Sequence, residues 1–290
     1  MRSLTVQKGV HGMDVERFRS CPRANGIFFK IHAKGVAGST NEDLKALAES
    51  GAPEGTVIAA SMQTRGKGRT SHVDRLPRKW ESPAGGLYFS LLLKPQGLDY
   101  RRMLLMPMLA GVAVAEGIEN AANIPTQIRW VNDILAEDRK LCGILVEASM
   151  TSKGCNYMIV GAGVNANFPA SILSQEIAPT ATTISDLTSQ SIDLNGLLAS
   201  ILERISHHYN AIRICGPGET LKKMRIKDWS AGRPLEVAVY HKGVHQKRYG
   251  IGAGIDDSGM LLLDEGPWTT RISCGEIFTG TAFEGYDPRR

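Results

Sequence analysis

The segment RWVNDILAEDRKLCGILVE, residues 129–147, contains two short apolar runs separated by a polar turn. Ile134 to Ala136 and Cys142 to Ser149 have the composition of strands, and Asp138-Arg139 is typical of the turn between them. Polar and charged side chains flank both runs: Arg129, Asn132, Asp133 and Lys140. The segment therefore predicts a hairpin that presents an Asn-Asp pair and a lysine on neighbouring strands.

On either side of this hairpin, the predicted helices and strands do not alternate regularly enough for a repeated βαβ fold. The order favours the α+β class, with a mixed, largely antiparallel sheet and helices. A helix is expected from Ser39 to about Gly51, with Ser39 and Glu42 at the spacing of a capping box. Further helices are predicted at Arg101–Asn120, Asp193–Ile214 and Glu219–Trp229. Further strands are predicted at Ile27–Ile31, Thr56–Met62, Leu87–Leu93, Gln127–Trp130 and Asn156–Ala162.

After Gly232 the pattern changes to short alternating strands with turn signals, which predicts a small C-terminal β-barrel. Asp257-Ser258-Gly259 is the expected hairpin turn. Three segments follow: an N-terminal arm at 1–26, a large domain at 27–230 and a small β domain at 231–290. The four strands of the small domain are expected at Leu235–Tyr240, Arg248–Ile255, Met260–Asp264 and Thr269–Ser273.

The composition is that of a globular protein: 290 residues, 42% hydrophobic, 22% charged and a net charge of +5. The longest uncharged apolar stretch, Met103 to Ala115, is too short to cross a bilayer. The N-terminus lacks the apolar run of a secretory signal. Reduced thiols in the cytoplasm are the expectation for five widely spaced cysteines, at positions 21, 142, 155, 215 and 274.

A glycine-punctuated cationic loop, QTRGKGR at residues 63–69, follows a predicted strand. Gly66 and Gly68 allow the backbone to approach a ligand closely, while Lys67 and Arg69 supply positive charge. The pattern is neither a P-loop nor a dinucleotide-binding fingerprint. A solvated basic turn and a phosphate-binding loop both remain open at this point.

Asp133 is a candidate for holding Mg²⁺ that bridges phosphates, with Lys140 reaching the same space from the adjacent strand. Gly161-Ala162-Gly163 leaves room for a flat ligand, and Asn165 offers both a donor and an acceptor. A turn initiator, a surface lysine and a tight turn are the structural alternatives for these three features.

Six segments in this order resemble the biotin–protein ligases, also called biotin–[acetyl-CoA-carboxylase] ligases. The resemblance covers about residues 27–280, and its ordered set of motifs is far more specific than any one of them. The matching segments are Ser39-Thr40-Asn41, Gln63 to Arg69, Trp80 to Gly86, Arg129 to Asp133, Arg139 to Glu147 and Gly161 to Asn165.

The resemblance implies a class II synthetase-like catalytic domain, a small C-terminal SH3-like β-barrel and a two-step ligase reaction. Biotin and Mg·ATP would give biotinyl-5′-AMP, and a lysine of a biotin carboxyl carrier domain would then take the biotinyl group. A homodimer is also implied. Arg69 and Lys140 are the implied catalytic residues.

The remaining residue roles implied by the resemblance divide between the two substrates. Biotin would contact Ser39, Thr40, Asn41, Gln63, Gly66, Gly68, Trp80, Gly86, Lys140 and Gly143. ATP or the adenylate would contact Lys67, Arg69, Arg129, Trp130, Asn132 and Asn165, with Asp133 as the metal ligand.

Three departures from the family pattern stand out. Arg129 occupies a position that is usually Lys, Val131 replaces the usual Pro, and Thr70 to Pro77 forms an insertion after the glycine loop. Residues 1–26 are too short for a winged-helix DNA-binding domain, so a ligase of the non-repressor type is expected.

Three alternative functions share part of this sequence pattern. A lipoate–protein ligase would share the adenylate chemistry, but its usual R-R-x-[ST]-G-G-G motif is absent from the sequence. A non-catalytic binder of biotin or of the carrier has no need to keep Arg69, Asp133 and Lys140 together. A nucleic-acid-binding barrel would use the basic residues 65–79, where Trp80 alone offers a base-stacking surface, so no nucleic-acid partner is expected.

Overall fold

A computed structural model describes residues 27, 29–70, 77–152, 154–241 and 244–278 of the chain. Within them, the larger unit is built on a seven-stranded sheet. Its strands are β1 (Lys30–Ala37), β2 (Thr56–Gln63), β5 (Leu87–Leu93), β6 (Gln127–Arg129), β7 (Asp133–Ala136), β8 (Arg139–Thr151) and β9 (Gly154–Val164). They lie in the order β1-β2-β5-β9-β8-β7-β6. Only β1 and β2 run parallel, so the predicted mixed, largely antiparallel sheet is confirmed.

One predicted strand and one predicted turn lie at slightly different positions in the structure. The first strand was expected at Ile27–Ile31, but β1 starts at Lys30 and runs on through a less apolar segment to Ala37. Ile27 and Phe29 are buried in the core instead. The predicted turn at Asp138-Arg139 lies one residue earlier, because Glu137 and Asp138 adopt φ angles of 50° and 59°, and Arg139 already belongs to β8.

The glycine loop after β2 forms a small hairpin of its own, which the sequence did not predict. β3 (Lys67–Thr70) pairs with β4 (Pro77–Lys79). The Gly66 carbonyl accepts a hydrogen bond from the Trp80 backbone N–H at 3.0 Å, which closes the base of the hairpin. Six residues of the predicted insertion, 71–76, lie outside the described residues, as does the arm 1–26.

Helices pack against the sheet, and two of them form the helical side of the core. The expected helix Arg101–Asn120 is divided at Leu105, because Pro107 has no N–H to continue the helix and instead stands near the start of a new one. Gly117 allows close helix contact, since a Cβ there would lie 2.6 Å from the Ile201 Cα. The helices are α1 (Thr40–Glu49), α2 (Tyr100–Leu104), α3 (Met106–Ala122), α4 (Ile184–Thr188), α5 (Leu194–Ile214) and α6 (Gly218–Ile226).

The described residues after 233 form a second sheet, in which five strands are all antiparallel, in keeping with the expected small β-barrel. The predicted turn is confirmed: Asp256 Oδ1 accepts from the backbone N–H groups of Ser258 and Met260, and Gly259 has φ +78°. The strands are β10 (Pro234–His241), β11 (Val244–Ile255), β12 (Leu261–Asp264), β13 (Thr269–Ile272) and β14 (Glu276–Phe278).

The second sheet is held beside the β6–β7 turn of the first. Trp130 Nε1 donates to the Gly259 carbonyl at 3.1 Å, and Arg225 Nε donates to the Ile255 carbonyl at 2.8 Å. A Cβ at Gly259 would collide with Leu105, so the turn fits closely against the helices. This docking places β14 at the mouth of the cavity described below. No helix in the described part of the chain is long and apolar enough to cross a membrane.

Candidate active site

A cavity of about 350 Å³ opens between the sheet, the start of α1, the β3–β4 hairpin and β14. Its floor is the β8–β9 pair, where small residues expose the backbone. The lining side chains and backbone come from Ser39, Thr40, Asn41, Gln63, Lys67, Gly68, Arg69, Thr70, Arg78, Lys79, Trp80, Arg129, Trp130, Asn132, Asp133, Lys140, Gly143, Ile144, Leu145, Gly161, Ala162, Gly163, Ile177, Thr180, Glu276 and Ile277.

The start of α1 contributes a polar wall, because its first residues are tied to the end of β2. The Thr40 backbone N–H, one of the free donors of a helix start, donates to Gln63 Oε1 at 2.8 Å. Gln63 Nε2 donates to Ser82 Oγ at 3.0 Å, which fixes the amide orientation. The Gln63 amide therefore keeps its oxygen toward α1 and its nitrogen toward the segment after Trp80.

Behind this wall, Asn41 lies against the bare backbone of β9. A Cβ at Gly161 would collide with the Asn41 side chain, so a glycine is required there. Asn41 Nδ2 donates to Glu147 Oε2 at 2.6 Å, and Asn41 Oδ1 is 2.5 Å from Ser90 Oγ. Ser90 Oγ is also 2.8 Å from Thr40 Oγ1. These contacts join the polar wall to Glu147, which is exposed.

An ion triad forms the opposite wall. Asp133 and Lys140 lie on neighbouring strands as expected, but the ion pairs that join Asp133 to Lys140 and Arg129 were not predicted. Lys140 Nζ is 2.7 Å from Asp133 Oδ1, and Arg129 Nη2 is 2.8 Å from Asp133 Oδ2. Burial by itself would raise the pKa of Asp133, but the two cations more than compensate and lower it to about 2. Asp133 is therefore ionised and holds both cations at the cavity surface.

The backbone of Lys140 is fixed as well. Its carbonyl accepts from the Thr182 backbone N–H at 3.0 Å and from Asn165 Nδ2 at 3.3 Å. Asn165 Nδ2 also lies 3.1 Å from the Thr182 carbonyl. Asn165 thus fastens the start of β8 to the segment after residue 180.

The Trp80 indole lies across two glycines of the cavity floor. A Cβ at Gly143 would be 2.8 Å from Trp80 Cζ3, and a Cβ at Gly163 would collide with Trp80 Nε1. Lys140 Nζ is 5.1 Å from the indole ring centroid, within the range of a cation–π contact. Trp80 Nε1 is a buried donor with no hydrogen-bond partner among the described residues. A ligand at this position would satisfy that donor.

Arg69 connects the hairpin with the β6–β7 turn and with the second sheet. Its Nη1 donates to Asn132 Oδ1 at 2.8 Å, and its Nη2 lies 3.5 Å from the Gly275 carbonyl. Asn132 is itself held by Ile144, whose carbonyl accepts from Asn132 Nδ2 at 2.9 Å. Asn132 therefore holds the Arg69 guanidinium beside the ion triad.

Two further ion pairs hold the hairpin in place over the cavity. Lys67 Nζ is 2.5 Å from Glu42 Oε1, and Arg78 pairs with Glu276 of β14. The first pair corrects one prediction. Ser39 is the N-cap of α1 but makes no side-chain cap bond, and Glu42 is engaged by Lys67, so the expected capping box is not formed.

Most of the predicted site residues meet at this cavity, and three do not reach its lining. A Cβ at Gly66 would collide with the Trp80 carbonyl and Ser82, and a Cβ at Gly86 would collide with the Tyr88 hydroxyl. Asn165 donates to backbone carbonyls instead. The residues predicted and found in the lining are Ser39, Thr40, Asn41, Gln63, Lys67, Gly68, Arg69, Trp80, Arg129, Trp130, Asn132, Asp133, Lys140 and Gly143.

Several site residues were not predicted. Ser90 lies in the middle of an apolar strand, and a single polar residue in such a run is the signal that could have revealed it. Glu276 and Ile277 come from the second sheet, and Ile177 and Thr180 from an irregular segment with a short 3-10 turn, so no local pattern marked them.

The described residues do not form a pre-assembled metal site. No group of three or more His, Cys, Asp or Glu side chains in this part of the chain has the arrangement that could hold a metal ion. Both Asp133 oxygens are already paired with cations. The residues therefore do not fit the predicted assignment of Asp133 as the ligand of a resident Mg²⁺.

Comparisons with known proteins agree with this geometry. Residues 36–165 match the biotin/lipoate A/B protein ligase family. The chain is 33% identical over 246 residues to the bifunctional ligase/repressor BirA of Bacillus subtilis, covering 84% of this chain and 72% of that protein. It is 29% identical over 245 residues to the biotin–[acetyl-CoA-carboxylase] ligase of Mycobacterium tuberculosis, covering 83% and 85%.

The fold shows the same relationship. The structure is similar to the biotin protein ligase of Aquifex aeolicus in complex with biotin and ATP, with a TM-score of 0.74 and 30% identity over 87% of this chain and 98% of that one. Fold, cavity and sequence similarity thus lead to one conclusion: the chain belongs to the biotin–protein ligase family.

Proposed function

We propose that this chain attaches biotin to a lysine of a biotin carboxyl carrier domain, using ATP and a biotinyl-5′-AMP intermediate. The observation that carries the proposal is the charge of the cavity. Among the described lining residues, two side chains are acidic, Asp133 and Glu276. Six are cationic: Lys67, Arg69, Arg78, Lys79, Arg129 and Lys140.

Such an excess of cations suits a ligand that carries a triphosphate and a carboxylate. The opposite wall, from Ser39 to Asn41 and Gln63, has no charged side chain among these four residues and offers directional hydrogen bonds. A neutral polar ring system such as the ureido ring of biotin fits that wall. The two walls together favour one ligand site for biotin and another for ATP, facing each other in one cavity.

In the first step, a biotin carboxylate oxygen would attack the α-phosphorus of ATP. The bond to the bridging oxygen breaks, and pyrophosphate leaves with the electron pair. Lys140 is proposed to neutralise the carboxylate and the developing acyl phosphate, and Arg69 to bind the α-phosphate oxygens. Asp133 already holds the Lys140 ammonium, and Asn132 already holds the Arg69 guanidinium. Both cations could therefore stabilise the charge of the transition state with little movement of their side chains.

In the second step, the amine of a carrier lysine would attack the acyl carbon of the adenylate. The acyl–oxygen bond breaks, AMP leaves with its phosphate charge, and the amine loses a proton as the amide forms. Trp80, whose indole lies on the cavity floor, is proposed to pack against the adenylate, with its unpaired Nε1 as a donor. Close packing of the indole against the adenylate would exclude water from this easily hydrolysed intermediate.

Three further parts of the proposal rest on the family resemblance. Mg²⁺ would enter with ATP as Mg·ATP, held mainly by the triphosphate, since such ions commonly keep few protein ligands. A homodimer is proposed, and light scattering of the purified chain would test it. A cytoplasmic location is proposed as well, where ATP and carboxylases are available.

The experiment is a pyrophosphate-release assay with ATP and either biotin, lipoate or no acid. Release that depends on biotin is the expected result, and release with lipoate would assign the chain to the alternative lipoate-dependent chemistry. Release without any acid, or none at all from a folded chain that binds ATP, would contradict the proposal.

A further inference from the structure

The Trp229 indole lies beside Arg129 but does not belong to the cavity lining. Arg129 Cζ is 5.9 Å from the centroid of the indole ring, within the outer range of a cation–π contact. The Trp229 backbone N–H donates to the Ile128 carbonyl at 3.0 Å, which fixes Trp229 to the strand that carries Arg129. No step of the proposed reaction uses Trp229.

The indole is itself held at its polar edge and by a second cation. Trp229 Nε1 donates to Asp138 Oδ1 at 2.5 Å, and the same oxygen is 3.1 Å from Arg233 Nη2. Arg233 Cζ lies 4.6 Å from the centroid of the indole ring. Trp229 is also buried, so the ring has little freedom to turn. It therefore offers Arg129 a surface of fixed orientation.

Arg129 has more N–H groups than its ion pair uses. A guanidinium carries five N–H donors in one rigid plane. Among the described residues, Asp133 is the one acceptor of a side-chain hydrogen bond from Arg129, and it binds Nη2 at 2.8 Å. The Arg129 side chain lines the cavity and keeps 18% of its surface exposed. An anionic ligand in the cavity can therefore accept from the same guanidinium that binds Asp133.

We propose that Trp229 is a positioning residue that holds the Arg129 guanidinium for the phosphates of ATP. The indole supports the guanidinium while Asp133 binds Nη2, so the remaining N–H groups meet the phosphate oxygens without first being ordered. Trp229 acts through Arg129 and does not touch ATP. The inference rests on the proposed function, because ATP is taken as the ligand of the cationic wall.

Steady-state pyrophosphate release at varied ATP and saturating biotin measures the effect. Trp229→Leu removes the ring but keeps an apolar side chain, and it is expected to raise the KM for ATP about fivefold. Since a tenfold change corresponds to about 1.4 kcal/mol, a fivefold change is about 1 kcal/mol, the size of one cation–π contact. The KM for biotin should stay within about twofold. Trp229→Phe keeps an aromatic face and is expected to retain most of the affinity for ATP.

A double-mutant cycle shows whether Trp229 acts through Arg129. Arg129→Met removes the guanidinium and is expected to raise the KM for ATP about tenfold or more. In that background, Trp229→Leu should add less than a twofold change, because no guanidinium is left for the ring to hold. Two residues that act independently would instead give effects that multiply.

Two further variants address folding. Leu198→Ala removes a fully buried side chain from the helical part of the core, so it lowers stability but should leave the KM for ATP unchanged in the chains that stay folded. Should Trp229→Leu fail to fold, Asp138→Gly releases the indole Nε1 from an exposed turn, and glycine tolerates the φ of 59° at that position. Asp138→Gly is expected to raise the KM for ATP about twofold to threefold.

The inference is overturned if folded Trp229→Leu, or Asp138→Gly in its place, keeps the parent KM for ATP. It is also overturned if Trp229→Leu has the same effect with and without the Arg129 guanidinium, if the KM for biotin rises as much as that for ATP, or if Trp229→Phe is impaired as much as Trp229→Leu. Each of these results requires a parent chain that is active with biotin. A parent chain that shows no biotin-dependent pyrophosphate release would instead refute the proposed function.

Discussion

Replacing Asp133 with Asn removes the one negative charge of the ion triad without changing the shape of the side chain. In the folded protein, Lys140 and Arg129 hold the pKa of Asp133 at about 2, against an ordinary value of 3.8. This difference is close to two units, and each unit corresponds to about 1.4 kcal/mol. At neutral pH the ionised Asp133 therefore contributes roughly 2 to 3 kcal/mol to the free energy of unfolding.

The pH dependence follows from the direction of the shift. A carboxyl whose pKa is lowered on folding stabilises the protein above its unfolded pKa, and this contribution is lost as pH falls toward the folded value. The difference in unfolding free energy between the parent chain and Asp133→Asn is expected to be constant from pH 7 to about 5. It should then shrink between about pH 4 and pH 2.

Urea unfolding followed by tryptophan fluorescence at several pH values measures this difference. Glu116, whose pKa is also lowered to about 2, is present in both proteins, so its contribution cancels. Asp257→Asn is a matched control, because the exposed pair between Asp257 and Arg225 should contribute well under 1 kcal/mol. Equal stability of Asp133→Asn and the parent chain at pH 7, or a difference that persists undiminished at pH 3, would refute the reasoning.

The other predictions concern activity. Lys140→Met keeps the apolar stem but removes the charge, and adenylate formation should fall by at least a hundredfold with folding retained; an unchanged rate would exclude Lys140 from the chemistry. Gly163→Ala places a methyl group against Trp80 Nε1, so displacement of the indole should lower kcat/KM at least tenfold, and full activity would disprove that indole position. Glu276→Gln removes the charge that pairs with Arg78, and the adenylate should dissociate several times faster in a filter-retention assay; equal retention would argue against a closing role for β14.

The parts of the fold that the sequence predicted best are those decided by local chemistry. β5 was predicted with its correct bounds, Leu87–Leu93, because an uninterrupted apolar run after two glycines specifies a buried strand without any distant partner. The turn at Asp257-Ser258-Gly259 was equally predictable, since it depends on one glycine with positive φ and on the neighbouring Asp256, which accepts from the backbone N–H groups of Ser258 and Met260.

The predictions that failed depend on contacts between distant parts of the chain. Glu42 has the right spacing for a capping box, but its carboxylate is drawn to Lys67, which is 25 residues away in the sequence. Asn165 was expected in the adenylate site because of the family resemblance, but its side chain donates to the Lys140 carbonyl and does not line the cavity. Arg69 contacts Gly275 across 206 residues, a distance at which no local pattern could have revealed the role of β14.

The motif order was informative about the site where single motifs were not. Lys140 and Asp133 lie on adjacent strands because β7 and β8 pair as a hairpin, and the two apolar runs with a polar turn between them were visible in the sequence. The hydrogen bonds that tie Thr40 to Gln63 were not visible, because they join residues that lie 23 positions apart in the sequence.

The central claim, that one cavity joins biotin to AMP and passes it to a lysine, is tested most directly by intact mass spectrometry of a purified biotin carboxyl carrier domain. After incubation with this chain, biotin and Mg·ATP, the carrier should gain the mass of one biotinyl group. The gain should require both substrates and disappear when the target lysine of the carrier is replaced by arginine. A carrier that stays unmodified while the folded chain binds both biotin and ATP would contradict the claim.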